Sequence, residues 1–277
     1  MINILLSTFQ SERYLIQLID SILNQSYTEW KLIVRDDGST DSTNLILYNY
    51  QNDYPEKIIV LTDIVGNIGT LKSFEHLLAY SSEADYMMFC DHDDIWLPDK
   101  IKISIQKMIE MENNAPHCPI LVHTDLTVVD MRGEVIHSSF WNFSKLDPQL
   151  LASFNYLAVC NGVTGCTIMI NKKSREVCLP ISENARMHDS WVALCVGKYG
   201  KIGYISEPTI LYRQHQSNQI GAKESNGFFC YIQSKLQNLK KTVQDNKMQL
   251  AMLRDLSYNN LFKYFVFKLI YFLKTRI

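Results

Sequence analysis

The chain has 277 residues, of which 47% are hydrophobic and 20% are charged, and its formal net charge is -2. This composition excludes disordered, collagen-like and small disulfide-rich chains, and the length suits one large domain or two small ones. The seven cysteines are an odd number without a Cys-x-x-Cys pair, so neither a disulfide framework nor a thiolate zinc site is indicated, and we expect a reducing, cytoplasmic compartment.

The first residues, Met1 to Leu6, are apolar but short and lack a basic segment, which predicts a buried strand rather than a secretion signal. A membrane-spanning helix needs roughly 18 to 20 apolar residues, and no uninterrupted run reaches that length. The nearest run, 261–273, contains Lys263 and Lys268. We therefore expect neither secretion nor a membrane span.

Strand and helix patterns alternate through the first hundred residues. Apolar runs predict strands over 2–6, 32–35, 58–61 and 86–90. Helices are predicted between them over about 12–25, from 42, and over 70–80. In the first helix, Ser11 is a suitable N-cap before an apolar face. This alternation indicates βαβ units and a mostly parallel sheet.

The pattern is less regular after Pro98, which suits the start of a helix that ends near the Asn-Asn-Ala-Pro sequence at 113–116. Further predicted elements are strands over 120–129, 166–170, 201–205 and 209–213, a helix near 189–199, and a loop-rich stretch near 131–155. The segment 161–166, which contains two glycines, predicts a close approach of backbone to the active site.

Polar residues follow the early strands, where ligands of open parallel sheets collect. Asp91, Asp93 and Asp94 place three carboxylates within four residues after an apolar strand. Such hard oxygen ligands suit Mg²⁺ or Mn²⁺. The alternative is an acidic turn in which Asp99 caps the next helix.

Another polar segment, Asp36 to Asp41, follows the second strand and has the residue types of a turn or cap. Alternatively, Asp37 accepts a hydrogen bond from the imide N–H of a uracil or thymine ring. The glycine patterns of dinucleotide-binding and P-loop proteins are absent from the sequence.

Four motifs in order resemble family 2 of the glycosyltransferases, inverting enzymes of the GT-A fold. They are Leu-Leu-Ser-Thr-Phe at 5–9, Ser-Ile-Leu-Asn-Gln-Ser-Tyr at 21–27, Val-Arg-Asp-Asp-Gly-Ser-Thr-Asp at 34–41 and Asp-His-Asp-Asp-Ile-Trp-Leu-Pro-Asp-Lys at 91–100. Two later segments, 187–191 and 211–215, look like motifs of the rhamnosyltransferase-like members. The resemblance extends to about residue 220 and implies an α/β GT-A fold with flanking helices, to which we add a C-terminal helical extension.

The resemblance implies how the nucleotide is bound. Ser7 and Asp37 would contact uridine or thymidine, and Asn67 and Gly69 match the family's loop near the nucleotide. Asp91 would lie near the ribose or the metal.

The resemblance also implies a metal and diphosphate site. Asp93 would be the leading ligand of Mn²⁺ or Mg²⁺, with Asp91, and His215 would be a metal or diphosphate contact. Lys72 and Arg213 are candidate diphosphate contacts, although Lys72 is open to being a solvated lysine and Arg213 to bridging a carboxylate of the body.

Inverting transfer needs a base for the acceptor hydroxyl. Asp189 matches the family's base, with a helix N-cap as the alternative, and His188 would orient it, contact the acceptor or take the proton itself. Trp191 and Trp141 could stack on an acceptor sugar, and core packing is the alternative for both. We assign Trp96 and Trp30 to the core.

The charge divides the chain into two unequal parts. Residues 231–277 contain nine lysines or arginines and two aspartates, a net charge of +7 that leaves -9 for residues 1–230. We predict a catalytic domain over 1–230, with donor binding in 1–100 and the acceptor side in 101–230. The basic helical tail, 231–277, suits an anchor at the anionic inner face of the cytoplasmic membrane, or a helix docked on the body or on a second copy. The acidic body argues against nucleic-acid binding.

Taken with the resemblance, these features predict a metal-dependent inverting transferase that adds one sugar, with dTDP-L-rhamnose as donor, to a glycan or lipid-linked glycan in cell-surface polysaccharide synthesis. One alternative is a UDP-hexose donor: UDP-glucose, UDP-galactose or UDP-N-acetylglucosamine. The alternative of another class is a non-catalytic subunit of a membrane-associated assembly complex.

Overall fold

The structure is a computed structural model that describes residues 1–62, 66–215 and 239–276. Within these ranges the strands are β1 (Ile2–Thr8), β2 (Trp30–Asp36), β3 (Ile58–Val60), β4 (Tyr86–Cys90), β5 (Ile95–Trp96), β6 (Ile120–Val129), β7 (Val135–His137), β8 (Met169–Asn171) and β9 (Lys201–Arg213). The helices are α1 (Leu15–Leu23), α2 (Thr43–Asp53), α3 (Thr70–Tyr80), α4 (Lys100–Asn114), α5 (Phe140–Ser144), α6 (Pro148–Leu151), α7 (Phe154–Leu157), α8 (Lys172–Cys178), α9 (His188–Tyr199), α10 (Leu239–Asp255) and α11 (Leu261–Arg276).

The strands form one sheet in the order β3-β2-β1-β4-β8-β6-β9-β5, with β7 beside β6. The four N-terminal strands β1 to β4 pair in parallel, as do β6 and β9, whereas β8 runs antiparallel to both of its neighbours. The predicted α/β architecture, with its central sheet, flanking helices and C-terminal helices, is confirmed. The parallel arrangement brings the carboxyl ends of β1, β2 and β4 to one edge of the sheet.

Both faces of the sheet are covered, which explains why its strands are almost continuously apolar. In β1, Ile4 and Leu6 pack in one core cluster, whereas Leu5 packs in the other, on the opposite face. The apolar face of α1 belongs to the first cluster and α3 and α9 to the second. Each fully buried aliphatic side chain contributes about 1.5–3 kcal/mol to folding.

Some element boundaries differ from prediction for local reasons. Helix α1 begins at Leu15 rather than near residue 12, because the Ser11 hydroxyl accepts from the Phe9 N–H instead of capping the helix. The strands predicted over 201–205 and 209–213 are one strand, β9, whose pairing with β6 shifts between Ile205 and Pro208. This register shift is a bulge, and the polar residues within it interrupt the apolar pattern but not the strand.

The C-terminal helices pack on the body. Tyr264 and Tyr271 of α11 are buried and belong to the core cluster that also contains α9. The predicted domain boundary at 230/231 lies outside the described residues. Across the described ranges, we find no helix with both the length and the apolar character required to span a bilayer.

Candidate active site

A cleft of about 830 Å³ opens at the carboxyl edge of the sheet. It lies between the ends of β1, β2 and β4, the N-terminus of α9 and the end of β9, and its volume is in the range of small-molecule sites. Most of the predicted site residues line it: Ser7, Asp37, Asn67, Gly69, Asp91, Asp93, His188, Asp189 and His215. The cleft also borders the glycine-containing segment 161–165, as predicted.

At one end of the cleft, the two aspartates at the carboxyl end of β2 have different roles. Asp36 accepts hydrogen bonds from the Gly38 and Ser39 N–H groups and from the Thr8 hydroxyl, so it organises the turn. Asp37 instead lines the cleft. The turn explanation therefore holds for Asp36, whereas Asp37 faces the cleft.

The carboxylate of Asp37 is fixed and ionised. It accepts from Arg35 at 2.6 Å and from the Ile68 and Gly69 N–H groups at 2.8 Å each. Burial disfavours its charge, but the hydrogen bonds from Ile68, Arg35 and Gly69 outweigh burial and lower its pKa. Gly69 has φ +81°, a left-handed conformation that favours glycine, and this backbone aims its N–H at Asp37. An ionised Asp37 can only accept hydrogen bonds, and an imide N–H, which is a donor, requires such an acceptor.

The acidic motif after β4 is divided between two neighbouring groups. Asp93 faces His215, with its Oδ2 2.7 Å from the His215 Nε2. The side-chain ligand atoms of Asp91, Asp94 and Cys166 lie within 4.8 Å of one another. Burial, and then the charges of Asp93 and Asp189, raise the pKa of Asp91 to about 7. Carboxylates crowded in this way repel one another unless a cation or protons compensate them.

These residues fit a hard divalent cation. The cleft is lined by the carboxylates of Asp91 and Asp93 and by the His215 imidazole, and Mg²⁺ usually takes one or two carboxylates together with substrate phosphates and water. Asp94 lies behind them, fully buried, where it accepts from the Arg213 N–H and retains an unpartnered Oδ2. The acidic-turn alternative required Asp99 to cap α4, but the Asp99 side chain makes no capping hydrogen bond there.

Asp189 lies in the first turn of α9, across the cleft from β4. It is partly buried, and Asn161 donates to its Oδ1 at 3.5 Å. Burial raises its pKa to about 6, although hydrogen bonds from the Ser190 and Gly165 backbones and from Asn161 act in the opposite direction. It does not cap the helix, whose N-cap is Met187. A carboxylate with this pKa, open to the cleft, suits a general base.

His188 occupies an apolar setting that counts against two of its predicted roles. Its ring stacks on Phe74 at 3.8 Å between centroids and lies 5.1 Å from Phe89, and neither ring nitrogen has a hydrogen-bond partner. Burial lowers its pKa to about 3. A neutral imidazole without a hydrogen bond to Asp189 neither orients that carboxylate nor readily takes a proton.

Two predicted diphosphate contacts lie away from the cleft lining. Lys72 is bound to Glu75 at 2.7 Å. Arg213 is buried, and its guanidinium donates to the Asp93 and Met131 carbonyls and to Gln17. Because these three acceptors already bind the N–H donors of Arg213, its role is to connect loops. Neither Lys72 nor Arg213 is therefore placed to contact a phosphate in the cleft.

The two tryptophans predicted to stack on an acceptor are core residues. Trp191 is buried and donates from Nε1 to the Cys178 carbonyl at 2.7 Å. Trp141 is buried, and its ring forms T-shaped contacts with the rings of His123 and Tyr204. Neither lines the cleft, so the packing alternative explains both. Trp96 and Trp30 are buried, as assigned.

The cleft also contains residues that the sequence analysis did not select. Phe9, 47% exposed directly after β1, offers an aromatic face, and Met131 projects from the turn after β6. Arg13 and Tyr14 precede α1, and the Tyr14 ring stacks on His215 with 5.2 Å between centroids. The position of Phe9 at a strand end was a usable sequence signal, whereas Arg13 had none that separates it from a surface arginine.

Comparison with known proteins decides the family. The model of glycosyl transferase family 2 matches residues 3–177, more than half of the chain. This chain belongs to glycosyl transferase family 2. It is therefore a glycosyltransferase, and the predicted family is confirmed. Over 230 residues it is 27% identical to the dTDP-rhamnosyl transferase RfbG of Shigella flexneri, covering 79% of this chain and 75% of that protein.

Other relatives match over shorter or more distant stretches. An Escherichia coli protein, UDP-Glc:alpha-D-GlcNAc-diphosphoundecaprenol beta-1,3-glucosyltransferase WfgD, is 28% identical over 110 residues, which cover 40% of this chain and 42% of WfgD. Among solved structures, S. aureus TarS 1-349 in complex with UDP-GlcNAc has a TM-score of 0.57 at 16% identity, covering 93% of this chain and 73% of that one. This chain covers 36% of the longer TarS structure, at a TM-score of 0.55 and 19% identity. The shared architecture confirms the GT-A fold.

Proposed function

We propose that this glycosyltransferase moves one sugar, with inversion, from a nucleoside diphosphate donor to a glycan or lipid-linked glycan during cell-surface polysaccharide synthesis. One observation carries the proposal: Asp37, the Asp91 and Asp93 pair, and Asp189 line the same cleft. An acceptor for a nucleobase would hold the donor, a phosphate-side cation site would stabilise the leaving group, and a base would take the acceptor proton, a set that suits a single displacement. A non-catalytic subunit would need none of them, so we favour the enzyme.

In the proposed reaction the acceptor hydroxyl attacks the anomeric carbon. The bond from that carbon to the diphosphate oxygen breaks, and its electron pair leaves with the nucleoside diphosphate. Asp189 accepts the hydroxyl proton, and Asn161 holds its carboxylate toward the cleft. Asp37 accepts from the imide N–H of the base, with the Phe9 ring available for stacking.

We propose that Asp91, Asp93 and His215 hold the divalent cation, Mn²⁺ or Mg²⁺. When bound, it would supply Lewis-acid stabilisation of the charge on the departing diphosphate. Asp93 and His215 are already 2.7 Å apart, which preorganises one side of this site.

We propose dTDP-L-rhamnose as donor, because RfbG, which matches most of this chain, is named a dTDP-rhamnosyl transferase. UDP-hexoses are the second candidate, since WfgD is named for UDP-Glc and TarS was solved with UDP-GlcNAc. Asp37 would not discriminate between them, as uracil and thymine both present an imide N–H. The choice rests on the pocket around the sugar.

Thermal unfolding with nucleotide sugars tests the function and the donor together. At 100 times its Kd a ligand that binds only the folded state stabilises it by about 2.7 kcal/mol. For a chain of this size that corresponds to about 5–10 °C in Tm. We expect this increase with dTDP-rhamnose and Mn²⁺, and less with UDP-glucose, UDP-galactose or UDP-N-acetylglucosamine. If no uridine or thymidine diphosphate raises Tm, the proposed function is wrong.

We further propose that the enzyme binds peripherally to the inner face of the cytoplasmic membrane through the 231–277 tail. Helix α11 docks on the body through Tyr264 and Tyr271, as one alternative predicted, and its opposite side is apolar. That side consists of four residues at helical spacing, 81%, 53%, 59% and 43% exposed: Phe262, Phe265, Leu269 and Leu273. Lys263 and Lys274 are exposed along one flank of this stripe, and α11 has no acidic residue. This arrangement suits an interfacial helix on anionic lipid.

Vesicle co-sedimentation tests the membrane proposal. Wild-type protein should sediment with phosphatidylglycerol vesicles, less with phosphatidylcholine, and less at high salt. The double variant Phe262→Ser and Leu269→Ser should bind at least about tenfold more weakly, since each buried apolar side chain contributes about 1.5–3 kcal/mol. Leu45→Ser is a matched control, because Leu45 is 62% exposed on α2. Equal sedimentation of wild type and the double variant would contradict the proposal, and a change in oligomeric state would favour a second copy as the partner.

A further inference from the structure

The cleft is short of positive charge for the substrate that we propose. Four aspartates line it: Asp37, Asp91, Asp93 and Asp189. Asp37 is compensated by Arg35, and a divalent cation would balance Asp91 and Asp93. The two negative charges of a sugar-linked diphosphate would remain, and a third develops when the diphosphate leaves. A further positively charged group beside the phosphates would stabilise this charge.

Arg13 is the one arginine or lysine that lines the cleft among the described residues. The two cations suggested by the motifs are engaged elsewhere, Lys72 with Glu75 and Arg213 with loop carbonyls. Arg13 is exposed and forms no ion pair with a carboxylate in the part of the chain that the structure describes. Its guanidinium is therefore available to a ligand.

The contacts of Arg13 connect it to the proposed cation site through one aromatic ring. Its guanidinium carbon lies 5.0 Å from the centre of the Tyr14 ring. That ring stacks on His215, whose Nε2 is 2.7 Å from Asp93. Tyr14 thus links Arg13 to the proposed metal ligands, and its stacking restricts the guanidinium without using its N–H donors.

We infer that Arg13 binds the diphosphate of the donor and stabilises it as the leaving group, an inference that rests on the proposed function. A guanidinium presents paired N–H donors that match two phosphate oxygens, and it stays charged throughout the reaction. Because the leaving diphosphate gains negative charge, the contact strengthens in the transition state, and Arg13 acts on both donor binding and turnover.

Calorimetric titration of the full chain with Mn²⁺ tests this role. The probes are dTDP and UDP, with thymidine and uridine as ligands that lack phosphate. Arg13→Gln should weaken diphosphate binding by about 10- to 100-fold, the effect of losing a charged hydrogen-bonding group, and leave nucleoside binding within about twofold. Arg13→Lys should recover part of the loss, since it restores the charge but not the paired donors. Arg254→Gln, at an exposed arginine of α10, is the matched control.

The outcomes separate this inference from the proposed function. Loss of diphosphate affinity alone, with partial recovery in Arg13→Lys, supports the assignment. Equal diphosphate affinities in wild type and Arg13→Gln would overturn it while leaving the proposed function intact. Equal loss of diphosphate and nucleoside affinity would also overturn it, because that result indicates a structural role. If wild-type protein binds no nucleoside diphosphate, the proposed function and this inference fail together.

Discussion

The Asp189→Asn variant is expected to bind the donor normally and to lose about 10²- to 10⁴-fold in kcat, the range over which a general base acts. Asparagine keeps the shape of the side chain and an oxygen that can accept from Asn161 and the neighbouring backbone, but it cannot take a proton from the acceptor. The KM for the donor should change little, because Asp189 has no assigned role in holding nucleotide or diphosphate.

The same variant should fold at least as well as wild type at neutral pH. The pKa of Asp189 is about 6 in the folded protein, above the roughly 3.9 of an unfolded aspartate. A raised folded pKa means that the protonated form favours folding, so this contribution is present below about pH 4 and is lost as pH rises through about 6. At pH 7.5 the charged carboxylate costs stability, which a neutral asparagine relieves.

Rates across pH give an independent check of Asp189. Wild-type kcat should rise with pH through about 6 and then level off as Asp189 loses its proton, and the residual activity of Asp189→Asn should lack this limb. Asp53→Asn, at an exposed aspartate of α2, is the matched control and should behave as wild type. Normal turnover in Asp189→Asn would exclude Asp189 as the base.

The fold was predictable because the residue patterns that specify each strand and helix are local and recur along the chain. The alternating strand and helix patterns required only apolar spacing, and the alternate residues of β1 are buried on opposite faces of the sheet as a central strand requires. The two errors in boundaries have different causes, a side chain with two possible partners in one case and a shift in strand pairing in the other. The Ser11 hydroxyl bonds to Phe9, and the bulge between Ile205 and Pro208 resembles a strand end in sequence.

The lining of the cleft was predictable where its residues follow strands and less so elsewhere. Asp37, Asp91 and Asp93 come directly after β2 and β4, so topology alone brings them to one edge. Trp191 shows the limit, because stacking on a sugar and packing in a core require the same side chain. The residues from Trp191 to Val196 are apolar and lie on every side of α9. That pattern is typical of a buried helix.

Charged residues were harder to assign because their partners are distant in sequence. Arg213 bonds to Gln17 and to the Asp93 carbonyl, more than a hundred residues away, and no local pattern reveals this. With Arg213 and Lys72 engaged elsewhere, the phosphate end of the cleft depends in our proposals on Arg13, on the acidic motif and on the cation that the motif holds. The substitution of Asp93 therefore tests the chemistry of that end most directly.

Replacing Asp93 with alanine is expected to abolish the effect of Mn²⁺ on diphosphate binding and to lower kcat by about 10³-fold, since Lewis-acid stabilisation contributes several kcal/mol. The variant removes a carboxylate that faces the cleft and leaves His215 without its 2.7 Å partner. Asp93→Asn keeps the shape and one acceptor oxygen but not the charge, so it should lose nearly as much if electrostatics dominate. His215→Ala should lose less, because both carboxylates remain.

Binding of dTDP and thymidine with and without Mn²⁺ distinguishes loss of the cation from loss of the fold. Thymidine contacts the Asp37 end in our proposal, so its affinity should be the same in wild type and Asp93→Ala. The affinity for dTDP should increase with Mn²⁺ only in wild type. If Mn²⁺ still strengthens dTDP binding to Asp93→Ala, Asp93 is not a metal ligand, and Asp91 with the buried Asp94 and Cys166 becomes the group to test. If thymidine affinity also falls, Asp93 supports the shape of the whole cleft, and only Asp93→Asn can then isolate its charge.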